Sequence, residues 1–257
     1  MAQYADEFID RLHLVWGPGF LSPGGPQEVA EVCRGLNLED ANVLDIGCGT
    51  GGPSIALARD MGARVVGIDI EPQLLDRARA LAYQAGVGDR VEFLQVKPGP
   101  LAFSDASFDV VFSKDALIHI PDKHALYAEI MRVLKPGGAL AASDWLAGDN
   151  ADDDKAFQHY LSLVPLDYTM ATPQQTADVM HHAGFEGVEI RDRNAWYAEL
   201  APLEVTRIEG PLREQIIAVS DAETYEKWLA IRRALAAAAQ SGGLRPTHLR
   251  GYNPAAT

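Results

Sequence analysis

Cysteine is nearly absent from this chain: Cys33 and Cys48 are the only two in 257 residues. Two thiols cannot build the disulfide framework of a small secreted scaffold, so the fold must rest on a hydrophobic core. Basic residues are scarce as well, with 22 Lys and Arg against 36 Asp and Glu and a formal net charge of -14. A surface of that sign repels phosphate backbones and acidic headgroups, which sets aside nucleic acid and membranes as partners. No apolar run approaches the ~20 residues needed to span a bilayer. Met1 to Asp10 lacks a basic start followed by an apolar stretch, so no secretory signal is read and the cytoplasm is expected. His181 and His182 are adjacent and cannot share a helical face, and no metal is expected. The remaining composition, 47% hydrophobic and 23% charged, is that of a globular protein large enough to bury a sizeable core. A small-molecule partner is expected; the oligomeric state is not legible.

One domain over 1–257 fits this length. A helix is read over Tyr4 to Leu14, broken by the loop Trp16-Gly17-Pro18-Gly19-Phe20-Leu21-Ser22-Pro23-Gly24-Gly25. A second helix runs from Pro26 to Gly35, so that 1–36 forms an N-terminal lid. Between 42 and 145 strands alternate with helices: strands near 42–46, 64–69, 90–96, 108–113 and 138–144, helices near 53–60, 71–85 and 122–134. That alternation specifies an α/β architecture, a doubly wound, mostly parallel sheet covered on both faces. Over 146–257 the pattern becomes a helical cap. Thr172-Pro173 opens a helix that Gly184 ends, Val188-Glu189-Ile190 is a short strand, and 202–240 is helical with a break at Pro211. Leu244 to Arg250 reads as the last strand, at an edge or irregular position because of Pro246.

The densest information lies in Val43-Leu44-Asp45-Ile46-Gly47-Cys48-Gly49-Thr50-Gly51-Gly52. An apolar strand runs into a glycine turn that opens a helix, the layout of a nucleotide pocket at the end of a parallel strand. Asp69, twenty residues beyond Gly49, is placed to accept both hydroxyls of a ribose. Gly47, Gly49 and Gly52 satisfy GxGxxG, so a dinucleotide dehydrogenase is formally allowed. Asp45 argues against it, since a carboxylate beside the loop repels a pyrophosphate and attracts the ammonium and sulfonium of S-adenosylmethionine. The alternative for Asp45 is a cap on loop amides. Cys48 fits the loop by its small size.

Together with Phe108-Asp109-Val110-Val111-Phe112-Ser113 and Leu134-Lys135-Pro136-Gly137-Gly138-Ala139-Leu140, this loop resembles the class I S-adenosylmethionine-dependent methyltransferases in order and spacing. The resemblance covers Asn42 to Trp145. It implies a Rossmann-like seven-stranded sheet whose last two strands form a hairpin at one edge, and S-adenosylmethionine as cofactor.

After the fourth strand comes Ser113-Lys114-Asp115-Ala116-Leu117-Ile118-His119-Ile120-Pro121. Asp115 and His119 are four residues apart, so one helical turn places them on one side. Methyl transfer requires an aligned, deprotonated nucleophile, and histidine with a reference pKa of ~6.5 can take its proton. A histidine that only hydrogen-bonds the backbone or closes the pocket is the alternative. Phe20 to Gly25, Ser113 to His119 and Ser143-Asp144-Trp145 are together similar to the phosphoethanolamine N-methyltransferase family. That resemblance implies that Phe20, Leu21 and Ser22 close over the cofactor and that His119 is the base. It also implies that Asp115 contacts the methionyl amino group or orders His119. With Asp45, Gly47, Cys48, Gly49, Gly52, Asp69, Ile70 and Ser113, they make the expected cofactor site. The acidic residue that binds the adenine amino group in the family is replaced near Lys97. Leu12, beside His13, stands where the family has a tyrosine, and Val164, Pro165 and Leu166 where it has a phosphate-binding arginine.

Aromatic faces attract ammonium and sulfonium groups by ~0.5–2 kcal/mol each. Trp16, Trp145, Tyr160 and Tyr168 are therefore the candidate acceptor residues, while Trp196 and Tyr197 read as core. The function expected is methylation of a small-molecule amine. The alternatives are S-, O- or C-methylation, or a protein that binds S-adenosylmethionine without catalysis.

Overall fold

The computed structural model describes residues 5–164 and 168–255. Seven strands form one sheet: β1 (Asn42–Ile46), β2 (Arg64–Asp69), β3 (Val91–Gln95), β4 (Phe108–Lys114), β5 (Leu134–Ala147), β6 (Glu186–Asp192) and β7 (Leu244–Tyr252). Their order is β3-β2-β1-β4-β5-β7-β6, with β1 to β5 parallel and β7 antiparallel to both neighbours. The chain winds outward from β1 to β3 and then restarts at β4 on the other side of β1. The crevice at that reversal is where such sheets hold ligands.

Alternation along the strands builds a core on each face. Val43, Val110 and Ala139 point to one side, where Val29 of α2 (Gly25–Val32), Leu57 of α3 (Gly52–Met61) and Leu75 of α4 (Pro72–Gln84) cover them. Leu44, Val111 and Leu140 point to the other, against Ile130 of α5 (Lys123–Val133) and Met180 of α7 (Pro173–His182). Both faces are sealed, so the loops at the strand ends are left to carry chemistry.

A helical cap stands over those ends. It consists of α1 (Asp6–Trp16), α6 (Lys155–Leu163), α8 (Asn194–Glu209), α9 (Arg213–Ala218) and α10 (Ala222–Ser241). Leu12 and Val15 of α1 pack with Ile208, Ile216, Tyr225, Trp228 and Leu229 in one small core. Phe157, Tyr160, Tyr197 and the alanine face of α10 make another. None of the helices among the described residues is long and apolar enough to cross a membrane.

Three expectations are corrected. β7 is an inner strand: Pro246 pairs in register with Trp145 of β5, while β6 pairs only from Thr247 onward. The missing proline N–H falls beyond the end of β6 and costs no ladder bond. β6 and β7 are antiparallel neighbours but no tight hairpin, since α8, α9 and α10 lie between them in sequence. The cap helix read from residue 202 begins at Asn194, whose N–H is accepted by Asp192 Oδ1 at 2.6 Å, and Pro202 is carried inside α8.

Candidate active site

A cavity of about 860 Å3 opens where β1, β2 and β4 end, roofed by α1, α10 and the loop that follows α1. One of its walls is the glycine turn. The N–H groups of Gly47 and Cys48 both donate to Ile68 O, at 2.9 and 3.0 Å, which folds the turn back on β2. Gly47 has φ +72°, and a Cβ there would meet the Ala116 Cβ at 2.3 Å. Only glycine lets the turn pass this close to the loop after β4. Asp69 ends β2 and accepts Gly49 N at 2.9 Å through Oδ2 and Glu71 N at 3.1 Å through Oδ1. Burial raises its pKa, against those amide bonds. Beside it Ile70 is 44% exposed, a large apolar side chain facing open space.

These features fit an adenosyl cofactor. The glycine turn admits close backbone approach, Asp69 and Glu71 present carboxylates to a ribose, and Ile70 with Val96 and Leu101 offers an apolar slot for a planar base. Gly47, Cys48, Gly49, Asp69, Ile70, Lys97, Phe20, Leu21 and Ser22, the residues expected at the cofactor, all line the cavity.

Asp45, Ser113 and Gly52, also expected at the cofactor, do not line it. Asp45 lies beneath the turn, with Oδ2 accepting from Ser54 Oγ at 2.5 Å and Oδ1 buried without a partner. Burial, with Asp69 nearby, pushes its pKa up to about 7 despite the Ser54 bond. A ligand in the cavity would meet Asp45 only through its field across the turn, not by contact. Ser113 Oγ, fully buried, donates to Ile46 O at 2.7 Å and ties β4 to β1. Gly52 N donates to Gly19 O at 2.9 Å, and a Cβ on Gly52 would meet that oxygen at 2.5 Å. Its role is to seat the lid.

Two side chains absent from the expected site also hold the lid. His13 Nε2 lies 3.3 Å from Gly19 N, which donates to it, and 3.0 Å from Thr50 Oγ1 in the glycine turn. Lys114 is buried at the end of β4, and its Nζ donates to Ser22 Oγ at 2.7 Å, Pro23 O at 2.8 Å and Asp115 Oδ2 at 2.6 Å. A lysine directly after the apolar run Val110-Val111-Phe112 and Ser113, at the end of a buried strand, is the available signal.

The expected pairing of Asp115 with His119 is not made. Asp115 has φ +57°, off any helix, and its Oδ1 accepts from Ser143 Oγ at 2.9 Å. Only Leu117–His119 forms a helical turn, of the tighter 3-10 kind, so the spacing of four does not stack the two side chains. Both still line the cavity. His119 stands half-buried with its ring centroid 5.5 Å from that of Tyr168, and burial with the charge of Lys123 lowers its pKa. Both causes favour its neutral form. Asp144 lies below, buried, accepting Ile118 N at 3.1 Å, and burial raises it to about 7.

Trp16, Trp145, Tyr160 and Tyr168 line the cap side of the cavity, as does Leu12. Val164 lines it too, while Pro165 and Leu166 fall outside the described residues. Behind the aromatics sits a buried ion pair: Arg232 donates to Glu204 Oε2 at 2.8 Å and to Tyr197 Oη at 3.0 Å. The Arg232 guanidinium lies 4.9 Å over the Trp16 ring, and Trp16 Nε1 donates to Glu204 Oε1 at 2.6 Å. Glu204 thus cancels the charge of Arg232 within the wall.

Residues 43–138 match the family described as methyltransferase domain. The chain is 32% identical over 225 residues to phosphoethanolamine N-methyltransferase 1 of Arabidopsis thaliana, covering 87% of this chain and 45% of that protein. It is 35% identical over 200 residues to 27-O-demethylrifamycin SV methyltransferase of Amycolatopsis mediterranei, covering 75% and 71%. Among solved structures, Haemonchus contortus phosphoethanolamine N-methyltransferase 2, in complex with phosphomonomethylethanolamine and S-adenosylhomocysteine, superposes with a TM-score of 0.89 at 25% identity, over 98% of this chain and 59% of that one. The chain spans about half the length of the plant enzymes it matches.

Proposed function

The chain belongs to the class I S-adenosylmethionine-dependent methyltransferases, and from that premise we propose that it methylates a small-molecule nucleophile, most directly an amine. When bound, S-adenosylmethionine supplies a methyl group already activated by its sulfonium, so the protein's task is alignment and proton removal. Gly47 to Gly49 give the donor a close backbone wall, Asp69 takes its ribose, Ile70 covers its base, and Phe20, Leu21 and Ser22 close over it. Lys114 fastens that cover by its bonds to Ser22 and Pro23.

The observation that carries the reading is His119. It lines the same cavity as the glycine turn and is held in its neutral form by burial and by Lys123. A neutral imidazole there takes the proton of an acceptor ammonium and frees the nitrogen lone pair for in-line attack. Trp16, Trp145, Tyr160 and Tyr168 give the acceptor cation an aromatic surround until that proton leaves. Cys33 and Cys48 remain free, buried thiols, which suits the cytoplasm.

A second reading, methylation of an oxygen or carbon nucleophile, is favoured by the largely apolar cap wall, including Leu12, Ile118, Val164 and Ile231. Incubation with methyl-labelled S-adenosylmethionine and a panel of amines, phosphobases, amino acids and apolar alcohols, read by mass spectrometry, separates the two. Label on nitrogen supports the first reading, label on oxygen or carbon the second, and no label on any acceptor removes both.

A further inference from the structure

Arg11 belongs to none of the groups above. It sits on α1, is 8% exposed, and lines the cap side of the cavity. Its guanidinium lies 5.4 Å from the Phe8 ring centroid and 5.9 Å from that of Trp228 on α10, so two aromatic rings hold it. Among the described residues it makes no ion pair and no acceptor takes its N–H groups, and Nε is buried and unpartnered. Glu7 and Asp221 are the acids nearest in effect, but neither reaches it, and Asp221 is engaged as the cap of α10 through Thr224 N at 2.8 Å and Thr224 Oγ1 at 2.7 Å.

A buried guanidinium without an anion is costly, and arginine does not escape by losing its proton. Its buried cap-side neighbour Arg232 solves the same problem internally, with Glu204. Among the described residues Arg11 is thus a cation with no directly bonded anion, in a wall of Phe8, Leu12, Trp228 and Ile231. We propose that Arg11 anchors a single negative charge on the acceptor, a carboxylate borne on an apolar body, at the end of the cavity formed by α1 and α10. The planar guanidinium matches a carboxylate in two parallel bonds. One uncompensated positive charge balances a monoanion, and a dianionic phosphomonoester would be left half unneutralised. This assignment rests on the methyl-transfer reading only in calling the ligand the acceptor.

Calorimetry on the chain saturated with S-adenosylhomocysteine tests it, with hexanoate, hexanamide and hexyl phosphate as probes. Hexanoate is expected to bind about ten-fold or more tighter than hexanamide, the scale of a charge-assisted hydrogen bond, and no weaker than hexyl phosphate. Arg11→Met should erase the preference for hexanoate while Arg11→Lys keeps part of it. The free Arg11→Met protein should melt no lower than wild type, because an unpaired buried charge has been removed. Equal binding of hexanoate and hexanamide, absence of binding by either, a ten-fold preference for hexyl phosphate, or a hexanoate preference that survives Arg11→Met overturns the proposal. A lowered melting point with all three affinities moving together assigns Arg11 to packing instead and overturns it too. Failure of S-adenosylhomocysteine to bind in the same cell bears on the methyl-transfer reading alone, and the probe titrations then decide Arg11 on the free protein.

Discussion

The ammonium of Lys114 donates to Ser22 Oγ at 2.7 Å, so a residue at the end of a core strand holds the lid over the cavity. The same Nζ pairs with Asp115, which lines that cavity. Lid position and the site carboxylate are thereby set by one buried charge.

Replacement of Lys114 by Met should lower stability by ~3–5 kcal/mol, since it strands the Asp115 carboxylate in a buried site. Affinity for S-adenosylhomocysteine should fall by about ten-fold or more as Ser22 and Pro23 lose their anchor. Chemical denaturation and calorimetry measure the two effects. A variant with wild-type affinity would remove Lys114 from lid control.

Gly52→Ala tests the other lid contact. Its Cβ would meet Gly19 O at 2.5 Å and Gly19 C at 2.6 Å, both backbone atoms that cannot swing aside. The lid must shift, at ~1–3 kcal/mol of stability. Weakened cofactor binding with an intact far-ultraviolet spectrum is expected; unchanged binding would show that the lid can reseat.

For His119 the lowered pKa fixes the sign of the pH profile. The neutral form is the active one, so kcat/KM should stay level through neutrality and fall only on the acid side, below the ordinary histidine value of ~6.5. His119→Ala should lower turnover ~100-fold or more with S-adenosylhomocysteine binding retained. A profile that rises toward acid would rule out this base.

Asp45 gives a second pH signature. Its pKa of about 7 means that it carries a full charge only above neutrality. A sulfonium nearby favours the charged form, so affinity for S-adenosylmethionine relative to S-adenosylhomocysteine should rise between pH 6 and pH 8. In Asp45→Asn the ratio should be flat. A ratio flat in wild type as well would show that the field of Asp45 does not reach the donor.

Much of this was legible from residue order alone. The parallel strands were read within a few residues because Val43-Leu44 and Val110-Val111-Phe112 are continuous apolar runs bounded by turn residues. The glycine turn and Asp69 are legible as the mouth of a pocket, and most of the residues expected there line the cavity. Local pattern did not reveal which side of a strand end faces the cavity. Asp45 stands just before the glycine turn and Ser113 near the end of β4, yet both turn into the protein, where Ser54 Oγ donates to Asp45 and Ile46 O accepts from Ser113. The helical spacing of Asp115 and His119 failed because Asp115 takes a left-handed backbone that no periodicity announces. Arg11, His13, Lys114, Glu204 and Arg232 acquire their roles from contacts across the fold, between residues as far apart as Trp16 and Glu204. Spacing within a segment carries no trace of such pairs.

Calorimetric titration of the purified chain with S-adenosylhomocysteine, with a nicotinamide dinucleotide in a parallel cell, addresses the central claim most directly. The account predicts saturable one-site binding of the first, its loss in Gly47→Val, where a side chain must collide with Ala116, and no heat from the second. Binding of the dinucleotide together with indifference to S-adenosylhomocysteine would contradict it.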